Sequence, residues 1–163
     1  MRIVLFFLLL LSSFSCKPDR RSKEVLPQTE AAIEAGDFVL DSVAGGPHSL
    51  KEFKGRVVLL NFFTTWCPYC SQEIPHLKDL IEKFGKDGRF VLMGVDIGEG
   101  SDKVKQFARK HNISYEILLD KSARFSQIFG VRGVPSNFLL DKDGKVVFSG
   151  HNLPPEEEIV KHL

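Results

Sequence analysis

The sequence predicts one α/β domain, a mixed central sheet with helices on both faces. Three observations carry that expectation. The chain has 163 residues, 43% hydrophobic and 26% charged, which suits one globular domain. From Gly36 onward, apolar segments alternate between strand-like and helix-like periodicity. Near the end the alternation gives way to two short apolar runs around Asp141-Lys142-Asp143-Gly144, a strong hairpin signal because Asp-Gly supports tight turns with positive φ. Early strands joined by helices should run parallel, and the hairpin antiparallel.

The elements follow in order. Phe38-Val39-Leu40 is a short strand candidate, followed by a turn at Gly45-Gly46-Pro47 and a small amphipathic piece over Ser49–Phe53. Val57–Phe63 is almost unbroken in β-branched, aliphatic and aromatic residues, as expected of a central strand buried on both faces. Pro68 opens a helical pattern with Ile74, Leu77, Leu80, Ile81 and Phe84 inward, closed by Gly85 and Gly88. Pro75 lies inside it and should kink it, since its ring displaces the carbonyl one turn back. Phe90–Ile97 is the next buried strand. Ser101 or Asp102 is placed to cap a helix with Val104, Phe107 and Ala108 inward, running to about His111. Tyr115–Leu119 reads as a strand, Ala123–Phe129 as a short helix, and Asn137–Leu140 with Lys145–Phe148 as the hairpin. Pro154–Leu163 is a final, short helix.

The start of the chain has a different character. Arg2 is followed by an apolar run from Ile3 to Leu11, then Ser12, Ser13, Phe14, Ser15 and Cys16. One positive charge, a short apolar core and small residues form the layout of a secretory signal over residues 1–15. Even extended to Phe14 the run is far shorter than the ~20 residues that span a bilayer. The stretch resembles a bacterial lipoprotein signal, which implies lipidation of Cys16 and a membrane anchor that does not span. The alternative is ordinary secretion, with Cys16 lost or left as an incidental thiol. Residues 16–36 mix charge with two prolines and read as a tether, leaving residues 37–163 as the folded domain.

Charge narrows the function classes. The formal net charge is +1, and removal of the leader with Arg2 makes the balance even. A neutral chain without a basic cluster argues against nucleic acid, whose binding rests on neutralising phosphates. Three cysteines are too few for a disulfide scaffold.

The chemistry concentrates at Trp66-Cys67-Pro68-Tyr69-Cys70, between a buried strand and a helix start. Loops at the carboxyl ends of such strands are where ligands and catalysis usually sit. The positive end of the helix favours thiolate at Cys67, which makes it the expected nucleophile. Cys70, one turn in and facing the domain, would be the resolving thiol. Half of a zinc site is the competing reading, but no second CxxC or His/Cys cluster accompanies the pair. No cofactor is required for dithiol exchange.

The chain from about Gly36 to Leu163 resembles the thioredoxin superfamily, and within it the membrane-tethered branch of TlpA, ResA and DsbE-like proteins. The residues that carry the resemblance are Asn61–Cys70, Glu73-Ile74-Pro75, and Gly133-Val134-Pro135 before Asn137–Leu140. It implies a thioredoxin-like fold and dithiol–disulfide exchange with exported proteins, often reduction of apocytochrome c before haem attachment. It also implies a membrane electron donor resembling CcdA or DsbD, and action as a monomer on the periplasmic side. By the same likeness Pro135 is the cis-proline facing the cysteine pair. The backbone of Val134 pairs with substrate, and Trp66, Pro68 and Tyr69 complete the substrate-facing set. Asn61 stands where ordinary thioredoxins carry a buried proton-transferring acid, and Asn cannot titrate. Glu73, three residues after Cys70, is the candidate for that task; the alternative is a solvated acid complementing the helix dipole. Trp66 reads as a rim residue, with plain packing as the alternative. The Pro-Tyr dipeptide resembles that of glutaredoxins and departs from this branch, which leaves the potential open.

Two other functions fit parts of the pattern. A thiol peroxidase of the peroxiredoxin kind shares the fold and places Thr three residues before its reactive cysteine, as Thr64 stands to Cys67, but wants Pro where this chain has Leu60. A copper chaperone of the SCO kind would pair the cysteines with a distant histidine, here His151, although its cysteines are one residue further apart. His48, His76, His111 and His162 read as surface or packing residues.

Overall fold

The computed structural model describes residues 39–163, so the leader, the tether, Cys16 and Phe38 lie outside the described residues. Seven strands form one sheet: β1 (Val39–Ser42), β2 (Pro47–Ser49), β3 (Val57–Phe63), β4 (Phe90–Ile97), β5 (Glu116–Asp120), β6 (Ser136–Leu140) and β7 (Val146–Gly150). Their spatial order is β2-β1-β5-β4-β3-β6-β7. β3, β4 and β5 run parallel, while β6, β7, β1 and β2 pair antiparallel to their neighbours. The described helices are a 3-10 turn (Leu50–Phe53), α1 (Pro68–Phe84), α2 (Ser101–Lys110), α3 (Arg124–Ile128) and α4 (Glu156–His162). The mixed sheet with helices on both faces stands as expected.

All seven residues of β3 are buried, because its two faces meet two different layers. Val58, Leu60 and Phe62 pack with Met93, Val95, Phe138 and Phe125, under the 3-10 turn and α3. Val57 and Leu59 pack instead with Leu77 and Leu80 of α1 and Ile159 of α4. Further along that second face, Phe63 joins Cys67, Cys70 and Ile74 with Val104 and Phe107 of α2. The cysteine pair thus sits on the rim of an apolar cluster, at the carboxyl end of the central parallel strand.

Several boundaries differ from expectation, each for a local reason. Pro47–Ser49 forms an additional edge strand, paired with β1 across the Gly45-Gly46 turn. Neither Ser101 nor Asp102 caps α2; Gly100 is the N-cap, and its carbonyl accepts from Lys103 and Val104. β5 runs one residue later, to Asp120, whose carboxylate accepts from the Phe125 and Ser126 amides at 3.3 and 2.8 Å. That reach caps α3 from the preceding strand, while Ala123 takes the N-cap place with a φ of 57°. α3 is therefore shorter than expected, and α4 starts after Pro155 rather than at Pro154. In the hairpin, Asp141 Oδ1 accepts from the Asp143 and Lys145 amides, and Gly144 has a φ of 81°. Pro75 lies exposed inside α1, which continues through it to Phe84.

Candidate active site

Cys67 occupies the N-cap of α1 in an extended conformation, and Pro68 follows at the first helical position, where a missing N–H costs nothing. Cys67 and Cys70 form a disulfide with a Cα–Cα distance of 5.3 Å. The Cys70 amide donates to Cys67 Sγ at 3.1 Å, so the sulfur takes the role that a capping oxygen has elsewhere. A group in that position meets free N–H groups and the positive end of the helix, both of which stabilise a thiolate. Both cysteines are only 3% exposed, whereas Trp66 and Tyr69 beside them are 69% and 68% exposed. Trp66 is therefore a rim residue and not a packing one.

The Gly133-Val134-Pro135 turn comes up against the pair. The Val134–Pro135 peptide bond is cis, and the Val134 carbonyl oxygen lies 3.8 Å from Cys67 Sγ. Ser136 Oγ donates to the Gly133 carbonyl at 2.7 Å, closing the turn on itself. The sequence had brought Pro135 to the pair only through a family likeness; the sheet does so physically, by setting β6 antiparallel to β3.

Glu73 is not a solvated surface acid. Asn61 of β3 stands opposite Asn137 of β6 in register, both essentially buried. The Asn61 amide donates to Asn137 Oδ1 at 2.8 Å and to Glu73 Oε2 at 3.1 Å, and the Asn137 amide donates to Glu73 Oε1 at 3.2 Å. Burial pushes the Glu73 pKa up; the two amide bonds and the nearby His76 and His151 pull the other way without cancelling it. A carboxyl held this way has the raised pKa that proton exchange with a thiol requires. Asn137 was missed in the sequence. An Asn interrupting each of two apolar strands was the available signal, but only the register pairs them.

A cleft of about 480 Å³ opens beside the pair, between the first turns of α1 (Tyr69, Gln72, Glu73, His76), the cis-proline turn (Val134, Pro135) and His151 with Asn152. His151, the distant histidine of the copper reading, and His76, expected to be a surface or packing residue, both border this cleft. On the other side of the loop before Cys67, Glu99 accepts from the Thr65 amide at 2.5 Å and from Thr65 Oγ1 at 2.9 Å. Asp96, fully buried next to it, accepts from the Glu99 amide through Oδ1, and burial with the Glu99 carboxyl pushes its pKa to about 8. Asp96 Oδ2 and Thr64 Oγ1 have no hydrogen-bond partner among the described residues. Also among them, no group of three or more His, Cys, Asp or Glu is placed to hold a metal ion. No described helix is long and apolar enough to cross a membrane.

Comparison with known proteins agrees with this geometry. Residues 32–149 match the AhpC/TSA family. The thiol-disulfide oxidoreductase ResA of Bacillus thuringiensis subsp. konkukian is 33% identical over 134 residues, which is 82% of this chain and 77% of that one. ResA of Geobacillus thermodenitrificans is 35% identical over 79% of this chain and 74% of its own. The solution structure of a putative protein disulfide isomerase from Bacteroides thetaiotaomicron superposes with a TM-score of 0.67 at 32% identity, covering 78% of this chain and 81% of that one. A putative thiol:disulfide interchange protein DsbE from Chlorobium tepidum gives a TM-score of 0.67 at 26% identity, covering 78% and 89%.

Proposed function

The chain belongs to the AhpC/TSA family and is a thiol–disulfide oxidoreductase of the ResA kind, and from that premise we propose that it reduces disulfides in exported proteins. In this reading the Cys67 thiolate attacks one sulfur of a substrate disulfide and expels the other as a thiolate, leaving a mixed disulfide. Cys70 gives its proton to the Glu73 carboxylate and attacks Cys67 Sγ, forming the Cys67–Cys70 disulfide and releasing the second substrate thiolate. Two electrons pass to the substrate, whose thiolates take up two protons. Val134 lends its backbone to the substrate chain, with Pro68, Pro135 and the exposed Trp66 and Tyr69 bordering it.

The observation that supports the reading most is the Glu73 carboxyl, one turn beyond Cys70 and gripped by Asn61 and Asn137. It supplies a proton acceptor in a chain whose central strand carries a non-titrating Asn. Copper delivery draws less support, since His151 is engaged by the Pro135 carbonyl, at 2.7 Å. Residues 1–15 as an export signal and Cys16 as a lipid-bearing anchor would hold the enzyme on the periplasmic face. Electrons would then come from a membrane donor resembling CcdA or DsbD, and apocytochrome c is the substrate that the ResA likeness suggests.

The test is the reduction potential of the Cys67–Cys70 pair, read by alkylation trapping in thiol buffers. A value near or below about −270 mV is expected for a reductase. One approaching about −120 mV would make the protein an oxidant and overturn the proposed direction.

A further inference from the structure

The cis-proline turn is held by two side chains that flank it. Ser136 Oγ, at the start of β6, donates to the Gly133 carbonyl. His151 Nδ1, just past β7, lies 2.7 Å from the Pro135 carbonyl oxygen. A carbonyl oxygen only accepts, so Nδ1 carries the proton in that bond and the imidazole is the donor. His151 Cε1 also lies over Gly133, where an added Cβ would meet it at 3.7 Å. The ring is therefore hydrogen-bonded to the turn at Pro135 and fills the space that a side chain at Gly133 would enter.

The placement has a topological origin. β6 and β7 pair up to Asn137 opposite Gly150, and β7 ends there. One residue further, His151 reaches the carbonyl just outside β6 through its side chain. The same residue borders the cleft that contains Glu73, Val134 and Pro135.

From this geometry we infer that His151 is a positioning residue for substrate binding, orienting the Gly133-Val134-Pro135 turn so that Val134 presents its backbone to the peptide beside the target disulfide. The inference rests on the proposed role of Val134. It assigns His151 no contact with the reacting sulfurs. Loss of the imidazole should weaken peptide binding while leaving the attack of Cys67 on the bound disulfide intact, since the influence of His151 on Glu73 enters only at the later release step.

The experiment is single-turnover oxidation of the pre-reduced full chain by a synthetic peptide with one intramolecular disulfide, followed by the fluorescence of Trp66, the only tryptophan. Wild type, His151→Ala and His151→Asn are compared for half-saturating peptide concentration, limiting rate and thermal midpoint. His151→Ala should raise the half-saturating concentration about fivefold, the worth of one ordinary hydrogen bond, with an unchanged limiting rate of mixed-disulfide formation when read in the Cys70→Ser background, where Glu73 is not used. His151→Asn, whose amide N–H can reach the same carbonyl, should recover most of the loss. An unchanged half-saturation in His151→Ala overturns the inference, as does an equal loss in both variants accompanied by a lowered thermal midpoint. To separate the two readings, the Val134 amide is followed by NMR in the mixed disulfide of Cys70→Ser with the same peptide. A Val134 amide that does not shift overturns the substrate role of the turn and this inference with it. A Val134 shift with unaltered kinetics in His151→Ala overturns only the latter.

Discussion

Glu73 and Asp96 are both carboxyls raised by burial, yet their surroundings give them different work. Glu73 borders an open cleft and is held by two amides, and burial raises its pKa above the usual carboxylate value while leaving the group open to proton exchange. Glu73→Gln should slow release of the mixed disulfide by about 100-fold with little change in its formation, measured by single-turnover quench, the usual scale for one general acid–base group. Asp96 is sealed, fully buried beside Glu99. Its native pKa of about 8 lies above its unfolded value of 3.8, so the folded protein holds a proton that the unfolded chain releases. The stability from this group is full below about pH 4, declines as pH rises, and is gone above about pH 8. Glu99 works in the opposite sense: its pKa is lowered, and its contribution is lost as pH falls. Asp96→Asn removes the first dependence, so the variant should gain stability over wild type as pH rises from 5 to 9. Urea midpoints at three pH values would check it, and parallel curves for the two proteins would refute it.

At the scale of elements, the sheet order carries the site. β3 delivers Asn61 and the loop into Cys67, β6 delivers Asn137 and the cis-proline turn, and α1 carries Cys67, Cys70 and Glu73. β4, on the other side of β3, carries Asp96 one residue before its end, and Glu99 just beyond it grips Thr65 ahead of the cysteines. The last helix is short, as expected, and yet it covers its end of the sheet. α4 is indeed only seven residues, but Ile159 is fully buried against Val57, Leu59 and Leu77. Ile159→Ala should cost about 2–5 kcal/mol in chemical denaturation, with the cavity it leaves setting the value in that range. Because α4 touches none of the sulfur-bearing residues, the reduction potential of that variant should stay within a few millivolts of wild type.

On the scale of the whole molecule, the two apolar layers divide the labour. The layer under α3 and the 3-10 turn is aromatic, with Phe62 and Phe129 in ring contact with one another and each with Phe125 and Phe138, and contains no part of the site. The opposite layer ends at the disulfide. A rigid sheet backed by one layer can thus present the cysteine pair, the cis-proline turn and the Glu73 cleft along one edge. The potential proposed above belongs to this scale. It reflects the helix end, the amide on Cys67 Sγ and the burial of both sulfurs together, and no single residue owns it.

The sequence alone determined the class of fold, the central strand Val57–Phe63, the helix opening at Pro68 and the Cys67–Cys70 chemistry. Those features rest on periodicity and on neighbours within a few positions, which a linear reading contains. The element ends at Gly100, Asp120 and Pro155 differ from expectation by one or two residues, because capping there comes from backbone carbonyls or from the strand before. Only the tertiary structure decided that Glu73 is gripped by Asn61 and Asn137, that Glu99, hydrogen-bonded to the buried Asp96, holds Thr65, and that His151 braces Pro135. Apart from Asp96 and Glu99, three positions apart, each of these contacts joins residues at least 12 positions apart, brought together by the packing of strands and helix. Register is set by which faces of the sheet must be buried, and that choice is made by the whole core at once.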